Sequence, residues 1–79
     1  MMMNIVCYKM KEPVVYNKGT QWESSCDTFL YRYVYGSEAN AKDLANELNE
    51  MLRDGVTAHD GLDMTKIARF YPSRQEEMY

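Results

Sequence analysis

A chain of 79 residues with a formal net charge of -3 has room for one domain and one core. Ile, Val, Leu and Phe make only 14 of the 79 residues, under the roughly 20% at which disorder competes, but the low charge and the seven Tyr, seven Met and Trp22 exclude a disordered chain. No apolar run approaches the ~20 residues of a membrane span, and Lys9, Lys11, Lys18 and Arg32 are too dispersed for a phosphate-binding surface, so neither membrane nor direct nucleic-acid binding is expected.

Asn4 to Met10 has the β-branched and aromatic content of a strand, and Glu12-Pro13 should break it, because proline donates nothing to a ladder. Val14-Val15-Tyr16 and Thr20 to Glu23 flank Asn17-Lys18-Gly19, which reads as a hairpin connection with glycine in the left-handed conformation. Ser24 to Asp27 reads as the next turn. Phe29 to Tyr35 then alternates, placing Phe29, Tyr31, Tyr33 and Tyr35 on one face of a strand and Leu30, Arg32 and Val34 on the other.

Past Gly36, Ser37 is a good N-cap, and Ala41, Leu44, Ala45, Leu48, Met51 and Leu52 recur at the spacing of one helix face. Gly55 after Asp54 supplies the stop. Gly55 to Gly61 reads as loop. Met64 to Tyr71 fits either a short helix capped by Asp63 or a strand, and the strand is preferred because it completes a sheet. Pro72 should end it, leaving 73–79 as a polar tail beyond a single domain of residues 1–72. The expected fold is α+β: an antiparallel sheet of three to five strands with the helix of residues 37–54 packed on one face.

On that helix Asp43, Glu47, Glu50 and Asp54 fall in one stripe opposite the apolar face. The grouping works against the helix. Asp43 with Glu47, and Glu50 with Asp54, are like charges four residues apart, and the last two oppose the macrodipole, each term costing a few tenths of a kcal/mol. Glu38 with Lys42 and Glu50 with Arg53 should give partial relief. Residues 37–63 carry a net charge of -5, against +1 on either side. Such a stripe is either a solvated face or a recognition surface for a basic partner. Tyr31, Tyr33, Tyr35 and Trp22 are likewise either ring packing or binding anchors, since Tyr and Trp are enriched at interfaces.

Candidates for chemistry are few. Cys26 with His59 as a thiol-imidazole pair, or both with Cys7 around zinc, lack the spacing that such sites use, and His59 to Asp63 does not place ligands as a calcium loop does. No enzyme activity, no metal and no cofactor is expected. Two widely separated cysteines without a leader point to a reduced, cytoplasmic protein. The scarce aliphatic content means that Met and Tyr must finish the core or a second subunit must, and with the surplus of aromatic strand residues it predicts a homodimer.

In size, acidity, Tyr and Met richness, and the combination of a sheet with one helix, the chain resembles small phage- or mobile-element-encoded inhibitors of host machinery, anti-CRISPR and anti-restriction proteins among them. The resemblance implies a non-enzymatic acidic module that binds the basic surface of a protein, such as a nucleic-acid-binding or defence complex. A small homo-oligomeric assembly protein is the alternative reading, ahead of a small enzyme.

Overall fold

The computed structural model describes residues 2–16 and 24–76. Strands β1 (Met2–Tyr16) and β2 (Ser24–Val34) lead into helix α1 (Glu38–Arg53). Two short strands follow, β3 (Ala58–His59) and β4 (Leu62–Asp63), then a 3-10 turn (Met64–Lys66) and β5 (Ile67–Glu76). The main sheet is antiparallel in the order β2-β1-β5, so the first strand is central, and β3 and β4 pair separately. The expected α+β architecture of one helix on an antiparallel sheet is what forms.

The core lies between α1 and the β1-β5 half of the sheet: Ala41, Ala45 and Leu48 meet Val6, Met64, Ile67 and Phe70, all at most 2% exposed. Tyr8, Met10, Tyr31 and Val34 pack around them, so Met and Tyr do finish a core that aliphatic residues alone would leave short. α1 ends as expected. Gly55, at φ 80°, allows the paired closing bonds from the Gly55 N–H to the Leu52 carbonyl and from the Val56 N–H to the Met51 carbonyl. At the other end Ser37 holds the N-cap position without a side-chain bond. Gly36, at φ 104°, could carry no Cβ without driving it into the Asn40 amide.

Four expectations need correction. β1 is not ended by Glu12-Pro13; instead residues 10–13 bulge from the β2 ladder, which resumes with Val14 opposite Cys26, so Pro13 sits where no donor is required. Ser24 to Asp27 is strand, with Ser24, Ser25 and Cys26 opposite Tyr16, Val15 and Val14, while the Asn17-Lys18-Gly19 connection and Thr20 to Glu23 lie outside the described residues. β5 runs through Pro72 to Glu76, so Ser73 to Glu76 belong to the sheet, opposite Ile5 to Met2, and not to a tail. Pro72 is tolerated because its position on the edge strand turns the missing N–H away from β1. Finally, Met64 to Tyr71 is both things the pattern suggested: a 3-10 turn with Asp63 accepting from the Thr65 N–H, then strand.

The strict alternation of Phe29 to Tyr35 also fails. Val6 pairs with Arg32 but Cys7 with Leu30, so Tyr31 is an extra residue bulged from β2. Tyr31 and Arg32 therefore point to the same side, where both bond Asp60, at 3.1 and 3.3 Å. Tyr33 and Leu30 fall together on the opposite face, opposite Ile5 and Cys7 of β1.

Candidate binding surfaces

The helix stripe faces solvent. Asp43, Glu47, Glu50 and Asp54 are all exposed, because Ala41, Ala45 and Leu48 turn the other side of α1 to the sheet. From Asp43 to Asp54 the charges extend about 16 Å at 1.5 Å per residue. Among the described residues none of the four carboxylates has an ion-pair or hydrogen-bond partner. The internal relief expected from Lys42 does not form: Glu38 pairs with Arg74 of β5 at 2.9 Å, and no pair joins Glu50 to Arg53. Arg74 wins because β5 carries it to the start of the helix, where Glu38 also complements the dipole.

The aromatic residues do not gather beside that stripe. Tyr31 is half-buried, its ring edge-on to Phe70 at 5.6 Å between centroids, with the Arg32 guanidinium 5.1 Å away. Burial, and then the hydroxyl's bond to Asp60, push its phenol above the ordinary value. Tyr33 is 40% exposed on the sheet face away from the helix, and Tyr35, 85% exposed, sits at the junction ahead of α1. Trp22 lies outside the described residues.

That helix-free face of the sheet is the second surface. Ile5 and Cys7 line its centre, largely hidden by neighbours directly across from them: Tyr33 and Leu30 on β2, and Tyr71 on β5. Burial pushes the Cys7 thiol above its ordinary value, and its hydrogen bond with Tyr71 opposes the shift. Arg69 lies over the Tyr71 ring at 5.1 Å. At its far end the β1-β2 pair continues past the last β1-β5 partners, Met10 and Ile67, as a two-stranded arm with Val14 and Val15 exposed.

The two sheet edges differ. On β5, the Asn49 side chain of α1 accepts from the Phe70 N–H at 2.8 Å and donates to the Phe70 carbonyl at 3.0 Å, standing in for a missing fourth strand. Pro72, two residues on, has no N–H to offer. On β2, the one bond to an outward backbone group among the described residues is from the Cys26 thiol to the Thr28 carbonyl, at 3.1 Å. Neither Asn49 nor the bare edge of β2 is signalled by periodicity.

Residues that chemistry would require are kept apart. Cys7 is on the helix-free face of β1, Cys26 in the arm and His59 in β3, and both thiols are free. Among the described residues no group of three or more His, Cys, Asp or Glu is placed to hold a metal ion. A groove of about 410 Å³ between the end of α1 and the start of β5 is lined by Lys11, Arg53, Met64 and Ile67 among others, with no carboxylate, histidine or cysteine. No described helix is long and apolar enough to cross a membrane. Comparison with protein-family models, curated proteins and solved structures finds no match.

Proposed function

We propose that the protein is a non-enzymatic binding module that docks the stripe Asp43, Glu47, Glu50 and Asp54 on a basic surface of another protein. One observation carries the reading: four outward carboxylates in one row, two of them against the helix dipole, with no ion pair to any of them among the described residues. Their mutual repulsion would be relieved by a partner's Lys and Arg. Where that partner's basic surface normally holds nucleic acid, the row competes with phosphates, which is how a phage-type inhibitor of a host nucleic-acid-binding or defence complex would act. Tyr35, exposed at the junction ahead of α1, can add a contact, whereas Tyr33 lies on the sheet face away from the helix and Tyr31 serves the fold through Asp60 and Phe70.

The test uses the double variant Glu47→Lys with Glu50→Lys. The native protein should capture nucleic-acid-binding proteins from nuclease-treated extract, release them as salt rises, and lose them to added DNA. The double variant should keep its fold and lose the capture. Equal capture by both proteins would remove the stripe from the function.

A further inference from the structure

From the contrast between the sheet's edges we infer that the protein is a homodimer built by antiparallel pairing of β2 with β2 of a second copy. The direction of each backbone group follows from one bond. Because both polar groups of Phe70 turn to Asn49, alternation turns Tyr71 toward Cys7 of β1. Cys7, Ile5 and Lys9 then face β5, so their partners across the other ladder, Leu30, Tyr33 and Thr28, present N–H and C=O groups away from β1. An eleven-residue edge with outward donors, no proline, and Leu30 and Tyr33 about 40% exposed is a template for another strand. The opposite edge is blocked by Asn49 and Pro72, so the sheet can grow in one direction.

A second copy is the occupant that fits. β2 carries one acid and one base, Asp27 and Arg32, on either side of its middle, half-exposed and held within the chain by Lys9 at 3.9 Å and Asp60 at 3.3 Å, and a two-fold near Phe29 brings each copy's Asp27 toward the other's Arg32 as a second partner. The same axis lays each copy's projecting arm, Ser24 to Asp27, along the other's body, Tyr31 to Val34. The product is a continuous six-stranded sheet with both helices on one face, setting two acidic stripes side by side. The pairing is argued from the edges alone and stands whether or not the stripes bind anything.

Two measurements on the full chain decide it. Sedimentation should show a dimer at micromolar concentration, and Leu30→Lys, which puts a charge on the exposed pairing edge, should raise its dissociation constant at least tenfold with the circular dichroism unchanged. Hydrogen exchange should protect the Thr28, Leu30 and Tyr33 amides in concentrated protein and release them on dilution, while the Val6 and Tyr8 amides stay protected throughout. A monomer at all concentrations would overturn the inference. So would a dimer whose β2 amides exchange freely, which would place the contact on the helix-free face instead.

Discussion

Asn49 offers a measurement in which two effects can be separated. Its amide satisfies the N–H and C=O of Phe70, and each such bond contributes about 0.5–1.5 kcal/mol, so Asn49→Ala forfeits roughly 1–3 kcal/mol. Alanine also returns about 0.7 kcal/mol of helix propensity, leaving a net loss of roughly 0.3–2.3 kcal/mol. Asn46 supplies the control: it lies on the same helix, exposed, with no side-chain hydrogen bond among the described residues, so Asn46→Ala should gain the propensity term alone. Urea denaturation should therefore rank Asn46→Ala above the native protein and Asn49→Ala below it, with about 1–3 kcal/mol between the variants. In a domain this small that gap amounts to at least ~4 °C in Tm. Asn49→Asp should fall between, because it keeps the acceptor for the Phe70 N–H and loses the donor. If the two alanine variants shift alike, the helix amide does not serve the edge strand, and the backbone directions deduced for β2 lose their anchor.

Leu48 is 1% exposed at the centre of the core, and Leu48→Ala should cost about 2–5 kcal/mol, most of the margin of a domain this short, as a thermal melt would show. The thiols should react in order, Cys26 first and Cys7 only as fast as the sheet opens, read by mass spectrometry after timed alkylation. Because the folded Cys7 pKa stands above its ordinary value of 9.0, its contribution to stability is complete below that pH and is lost as pH rises through the folded value. Cys7→Ala should flatten that alkaline decline; an unchanged slope would assign it to other groups.

The elements that were legible in the sequence are those whose local pattern and tertiary environment agree. Ala41 to Leu52 repeats at helix spacing, Gly55 supplies the left-handed stop, and the solvent position of Asp43, Glu47, Glu50 and Asp54 follows from the same period. The edge strand is less legible because proline ordinarily signals a stop, whereas Pro72 needs only an outward position. Ser24 to Asp27 looks like a turn by composition, yet a strand projecting beyond the core has no buried face and can be polar. The bulge at Tyr31 leaves no local mark at all: one extra residue sends Tyr33 to the face opposite Tyr31 and separates rings that alternation had put together. The loop expected over Gly55 to Gly61 holds strand β3 because Asp60-Gly61 is a two-residue hairpin turn, both residues adopting the positive φ, 50° and 77°, that this dipeptide favours.

The placement of β1 between β2 and β5 sets an order on folding. Met2 lies opposite Glu76, so the central strand finds its second neighbour only when residues 67–76 have left the ribosome. Until then β1 and β2 can form no more than a hairpin, which is marginal alone in water, and α1 lacks Phe70 and Ile67, which close the core. Those distant pairings also slow folding of the released chain, since loops of some seventy residues must close before they contribute. The nascent protein thus passes through a stage in which its most apolar strand has neither edge nor face fully occupied, and a stalled or C-terminally clipped chain would be a substrate for chaperones and proteases.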